Sequence, residues 1–179
     1  MLYIISVGAT KNTEIFVGIV ISSEKVGESD IRVRILCKCD EIKDGVKTFT
    51  VTGAQKPNAK LKAGVQLFTI AEFSTVGHKV IGVHVLESNH NITKDIKRYY
   101  LACAICEVVS KVMGAGFELT AEALANLNNP QPTIREIFTE YFSGLLVELG
   151  YDIEPHQDIS SAYLYNLDIK IPNTRFFLI

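Results

Sequence analysis

The sequence predicts an α+β protein: an N-terminal antiparallel β-barrel of the OB-fold type over residues 1–88, then an α-helical domain over 89–179. Three observations carry this. Short β-rich runs broken by turn signals fill the first half, and no crossover helix separates them. The hydrophobic period lengthens from two to three or four residues at Asn91. Beyond it, Thr133-Ile134-Arg135-Glu136 is a capping box that opens one of three amphipathic segments.

Within the first half, Leu2–Val7 is short and apolar, and Glu14–Ile21 places Ile15, Val17, Ile19 and Ile21 on one parity with Phe16 and Val20 on the other. After the polar turn Gly27-Glu28-Ser29-Asp30, residues 31–39 alternate. Ile31, Val33, Ile35, Cys37 and Cys39 form one face, and Arg32, Arg34 and Lys38 the other. Asp44-Gly45 is a hairpin signal, followed by strand patterns at Val46–Thr52, Val65–Ser74 and Lys79–Leu86, the last two joined across Val76-Gly77-His78. Closing these strands into a barrel removes their exposed edges; an SH3-like barrel is the alternative to the OB type.

In the second half, Thr93 is placed to cap a helix whose apolar stripe runs from Ile96 through Tyr99, Cys103 and Cys106 to Met113, with Gly114 and Gly116 ending it. Glu118–Leu127 is a shorter helix stopped by Asn128-Asn129-Pro130. A third follows the capping box, with Ile137, Phe138, Tyr141, Phe142 and Leu145 on its stripe and Gly150 at its end. Ile169–Ile171 and Phe176–Ile179 suit a terminal hairpin.

The chain has 179 residues, 47% hydrophobic and 21% charged, which is an ordinary globular balance rather than a disordered one. Its apolar runs are shorter than a bilayer span, so a soluble, cytoplasmic protein is expected. Net charge is −2, yet residues 1–88 hold 11 basic and 9 acidic side chains, against 7 and 11 in residues 89–179. That asymmetry suits a protein that binds a polyanion with one face.

The basic density peaks at Gly53-Ala54-Gln55-Lys56-Pro57-Asn58-Ala59-Lys60-Leu61-Lys62, where Gly53 and Pro57 force the chain out of the sheet. Lys56, Lys60 and Lys62 there are either a solvated turn or a phosphate-binding loop. The candidate DNA-binding set is Arg32, Arg34, Lys38, Lys47, Lys56, Lys60 and Lys62; for the strand trio, the polar face of a half-buried sheet is the competing reading. Phe49 is either a base-stacking platform or core.

For a partner, Lys97, Arg98, Tyr99, Tyr100 and Cys103, with Arg135 and Phe138, suit an apolar pocket rimmed by basic groups for an acidic peptide, or else interhelical core. No triad, carboxylate pair or phosphate-binding loop of Walker type stands out, so no catalytic residue is assigned. Cys37-x-Cys39 and Cys103-x-x-Cys106 offer only one pair with knuckle spacing. Reduced core thiols are therefore expected, with no metal or cofactor.

Several features in order resemble the bacterial RecO family of recombination and repair mediators: Gly18-Ile19-Val20, Gly27-Glu28-Ser29-Asp30, Gly53-Ala54-Gln55-Lys56-Pro57, Leu67-Phe68-Thr69, Arg98-Tyr99-Tyr100 and Leu149-Gly150-Tyr151. The resemblance implies an OB-fold and a helical domain without enzymatic activity. It implies binding of single- and double-stranded DNA, annealing of complementary strands, and contacts with RecR and the acidic tail of single-strand-binding protein. It also implies help in loading RecA, and association with the nucleoid during repair. The chain departs from the family in having no cysteine after Tyr151, so a zinc ribbon is not expected there, and the tail is read as metal-free. Gln55 and Asn58 also stand where relatives carry basic side chains, which predicts weaker DNA affinity. A second reading keeps the helical domain as an adaptor for single-strand-binding protein tails, with little DNA binding of its own.

Overall fold

A computed structural model describes residues 13–38, 45–112 and 116–152. The leading strand expected at Leu2–Val7, the terminal hairpin, Cys39, Asp44, Met113 and Gly114 lie outside the described residues. Five strands, β1 (Thr13–Val26), β2 (Asp30–Cys37), β3 (Gly45–Val51), β4 (Ile70–Val76) and β5 (Lys79–Glu87), are followed by α1 (Ile96–Lys111), α2 (Phe117–Asn128) and α3 (Ile134–Glu148).

The strands close into a barrel in the order β1-β2-β3-β5-β4, the arrangement expected of an OB-fold. Closure depends on β1. Its first half pairs with β4, from Thr13 opposite Val76 to Ile19 opposite Ile70, and its second half pairs with β2, from Gly18 opposite Cys37 to Val26 opposite Asp30. A bulge between Val20 and Ser22 bends the strand between the two partners. Gly18 sits where both pairings overlap, and a Cβ there would lie 2.3 Å from a methyl of Ile35. The last contact differs from the all-antiparallel expectation: β3 meets β5 in parallel, at Thr50 opposite Lys79. A chain that returns through a long connection can close a barrel in either sense.

Both parities of β1 are apolar over Gly18–Ile21 because both faces are buried there, while Ile15 is exposed near the start of the strand. Val20 joins Val33, Ile35, Phe49 and Phe73 inside the barrel, whereas Ile19 and Ile21 face outward into a second cluster with Leu36, Phe68 and the helices. That second cluster is continuous from the barrel wall to Leu101, Ile105, Leu124, Phe142 and Leu145. The helices therefore pack directly on the sheet.

The strand expected at Val65–Ser74 is shorter. Ala63–Val65 is a 3-10 turn, and Phe68 takes a φ of 69°, which a strand cannot accommodate. This left-handed conformation costs about 1–2 kcal/mol for a residue with a Cβ. It is held by three bonds: Phe68 N–H donates to the Val20 carbonyl, Val20 N–H to that of Thr69, and Asn89 Nδ2 to that of Phe68. The cap of α1 is Asp95 rather than Thr93: its carboxylate accepts from the N–H groups of Lys97 and Arg98. Thr93 belongs to a preceding 3-10 turn, His90–Lys94, and donates to the His90 carbonyl instead. The capping box before α3 is present as read, with Thr133 and Glu136 each bonding the other's backbone N–H.

Candidate nucleic-acid interface

On β2, Ile31, Val33, Ile35 and Cys37 point into the barrel, so Arg32, Arg34 and Leu36 point out. The outward side then divides. Leu36 is fully buried beneath the helices, while Arg32 is exposed and Arg34 half-exposed on open sheet. Across the sheet, Ser22, Arg34 and Thr48 form one row and Glu24, Arg32 and Thr50 the next. Ser22, Glu24, Arg32, Arg34 and Thr48 line a groove of about 370 Å³. Although Glu24 is the neighbour of Arg32 in register, no carboxylate among the described residues comes within ion-pair distance of either arginine. Arg34 and Ser22 also line a smaller crevice of about 190 Å³ where the sheet meets Cys103, Cys106 and Glu107 of α1.

The second row ends on a cation that the sequence reading missed. Thr50 pairs with Lys79, the exposed first residue of β5. Two strand spacings put Lys79 roughly 10 Å from Arg32 across the sheet. Nothing in the local pattern marks Lys79, because its neighbourhood with β3 depends on barrel closure.

The basic loop docks at the same end of the barrel. Gly53, at φ 70°, turns the chain out of β3 and donates its N–H to the Asp30 carboxylate at 2.9 Å. Gln55 follows, donating its backbone N–H to the Ser29 carbonyl and its side-chain amide to the Asp30 carbonyl. Gln55 thus ties the loop to the β1–β2 turn, a structural use for this uncharged side chain. The Gly53 N–H, then the Ser29 hydroxyl and the charges of Lys79 and Lys56, hold the Asp30 carboxyl below its ordinary range. Successive turns then close from Lys56 to Gly53, Ala59 to Lys56 and Lys62 to Ala59, leaving Lys56, Lys60 and Lys62 exposed. None of the three pairs with a carboxylate among the described residues.

Two members of the candidate set are placed elsewhere. Lys38 follows the buried end of β2, about 13 Å along the strand from Arg34, and it ion-pairs with Glu118 of α2 beside the Phe117 ring. Lys47 lies opposite Ile35, so it has the inward parity. Its ammonium sits 5.9 Å from the Phe16 ring centre and 3.9 Å from Glu14 at the barrel mouth. Phe49 is core, 3% exposed and stacked on Phe16 at 5.5 Å, so it offers no platform to a base.

The residues expected to receive a partner are divided as well. The Arg98 guanidinium donates to five carbonyls, those of Asn126, Leu127, Asn129, Pro130 and Pro132, capping the end of α2 and holding the connection into α3. Tyr99 is half-buried edge-on to Phe68 and Tyr100, and the neighbouring Cys103 thiol pushes its phenol up. Phe138 packs on Phe142 at 4.5 Å. Lys97 and Arg135 are exposed. Burial pushes the Cys103 and Cys106 thiols up, strongly so for Cys106, as expected of inert core sulfurs. Cys37 is buried inside the barrel, in the other cluster. Among the described residues no group of three His, Cys, Asp or Glu side chains is placed to hold a metal ion, and no helix is long and apolar enough to cross a membrane.

Residues 13–86 fit the family described as Recombination protein O N terminal, a span that opens with β1 and closes one residue before the end of β5. No curated protein matches the chain. The barrel that presents Arg32, Arg34 and the Gly53–Lys62 loop is thus the part of the chain that is similar to the N-terminal domain of recombination protein O.

Proposed function

We propose that this protein is a DNA-binding mediator whose barrel holds the sugar-phosphate backbone along the groove from Arg34 past Arg32 to Lys79 and the Lys56–Lys62 loop. The observation that carries the reading is the set of solvent-facing cations toward one barrel end, none within ion-pair distance of a described carboxylate, on a barrel similar to the N-terminal domain of recombination protein O. Each phosphate neutralised releases counterions, and that release supplies the affinity. With Phe49 inside the core, stacking contributes little, so sequence preference is weak and salt dependence strong. Through this contact the protein anneals complementary strands and, with RecR, assists RecA on strands coated by single-strand-binding protein, in the cytoplasm at the nucleoid. Residues 1–88 and 89–179 act as the DNA-binding and partner-binding units, without catalysis.

The test is a titration of labelled single-stranded and duplex DNA against salt. Affinity that falls steeply with salt, and falls further when Arg32 and Arg34 are replaced by Ala, is the expected outcome. No detectable binding at low salt, with or without RecR, overturns the proposal.

A further inference from the structure

The helical half carries a second surface of opposite character. α2 and α3 lie side by side: the Thr120 hydroxyl meets that of Tyr141 at 3.3 Å, and Leu119 packs against Gly144. Between them runs a groove of about 300 Å³. Its floor is Leu119, Ala123 and Ile137, and Glu122 of α2 and Glu140 of α3 rise as exposed carboxylates on either side. Leu119, Glu122, Ala123 and Asn126 follow helical spacing on one wall, and Ile137, Glu140 and Tyr141 on the other, so the trough follows the helix axes. Neither glutamate ion-pairs with a described residue. α2 holds no basic side chain and α3 only Arg135, against Glu118, Glu122, Glu136, Glu140 and Glu148.

We infer that this groove docks a basic amphipathic segment of a partner protein, one bulky apolar side chain seated on the floor between Lys or Arg residues that meet Glu122 and Glu140. The volume takes one or two large side chains, not a helix entire, so recognition rests on an anchor with flanking charge. Charge complementarity decides the occupant. An acidic peptide would bring like charges to both rims, a juxtaposition that works against binding. The helical face thus selects the opposite kind of peptide from the acidic tail expected at Arg98 and Tyr99. This inference is independent of DNA binding by the barrel.

Fluorescence anisotropy of two labelled helical peptides tests it on the full chain: one of Leu and Lys with its leucines along one stripe, and its Leu and Glu counterpart. The Leu/Lys peptide binds and the Leu/Glu peptide does not. Glu122→Lys with Glu140→Lys weakens the Leu/Lys peptide by about tenfold or more, the loss of roughly one good charge contact, and Ala123→Trp, which fills the floor, weakens it at unchanged net charge. Glu28→Lys with Glu87→Lys, the same charge change on the barrel, leaves it within about twofold. Circular dichroism melts check that each variant is folded. Equal weakening by both lysine pairs means attraction to overall charge alone and overturns the inference, as does preference for the Leu/Glu peptide. Self-association of the chain that Glu122→Lys and Glu140→Lys abolish would assign the groove to a second copy and also overturn it.

Discussion

Arg98 and the Arg32–Arg34 pair show how differently one side chain is used in the two halves of this molecule. Arg98 faces five carbonyls at the end of α2 and in the loop after it, where the helix runs out of intrahelical donors; of these, that of Asn126 also accepts from the Asn129 N–H. Arg32 and Arg34 stand on a paired sheet whose carbonyls are already bonded to neighbouring strands, with no described carboxylate, Glu24 included, at ion-pair distance. A guanidinium supplied with acceptors becomes part of the fold, and one without them is available to an external anion. Composition alone cannot make this distinction, because it depends on where unsatisfied carbonyls end up.

The sharpest test of the contrast is Arg98→Ala. It leaves several part-buried carbonyls without their charged donor and should lower unfolding stability by about 2–4 kcal/mol, read from the denaturant midpoint. Arg98→Lys should recover only part of this, since an ammonium cannot span the five acceptors. DNA affinity of the folded fraction should stay unchanged in both. Arg32→Ala with Arg34→Ala should do the reverse. Stability should stay within about 0.5 kcal/mol of the parent, while the slope of log affinity against log salt on single strands becomes shallower by about 1.4, for two phosphates released. A variant pair that unfolds the chain without touching the salt slope would break the comparison.

Smaller effects sharpen it. Thr133→Ala removes the helix cap and should cost about 1 kcal/mol, with no change in DNA binding. Lys38→Ala should change stability by less than about 1 kcal/mol, because both partners of its ion pair are exposed. It should leave the salt slope unchanged too, since Lys38 faces α2 rather than the groove.

The two halves also differ in alkali. Burial raises the Cys106 thiol and the Tyr141 phenol, the latter against a weaker lowering by Thr120, and both lie in the cluster shared with the helices. Each group is held neutral by folding. Its contribution is complete below the unfolded values of about 8.5 and 10 and declines as pH rises above them. Urea midpoints should therefore fall between pH 8 and pH 10.5, and Cys106→Ala with Tyr141→Phe should flatten that fall. At the other extreme, the Asp30 carboxylate that anchors Gly53 is held low, so its contribution is present above about pH 4 and is lost as pH drops further. Loop proteolysis between Gly53 and Lys62 should accelerate there first.

Much of this was legible beforehand. The alternation of Ile31 to Cys37, the capping box at Thr133, and the turns at Gly27 and Gly77 are local signals, and each appears where the pattern put it. The limits of local reading are equally specific. Val65–Ser74 looked like a strand because Val65, Leu67, Phe68 and Ile70 are apolar, but their burial comes from a turn wedged between barrel and helices. Lys47 shares its charge with Arg34, but its parity sends it to the barrel mouth beside Phe16 and Glu14. Lys79 gave no signal at all, since its place beside Thr50 follows from closing the barrel.

By itself the amino-acid order determined most of the strands and the three helices, which strand carries Arg32 and Arg34 outward, and that the loop after Gly53 leaves the sheet with three lysines. These follow from side-chain period and backbone freedom, which act over a few residues. Tertiary structure alone decided which cations remain available. The helices cover the outer sheet from Leu36 onward, drawing Lys38 to Glu118, and the carbonyls left at the end of α2 capture Arg98. Those outcomes depend on partners 28 to 80 residues away in the chain, beyond the reach of any local pattern.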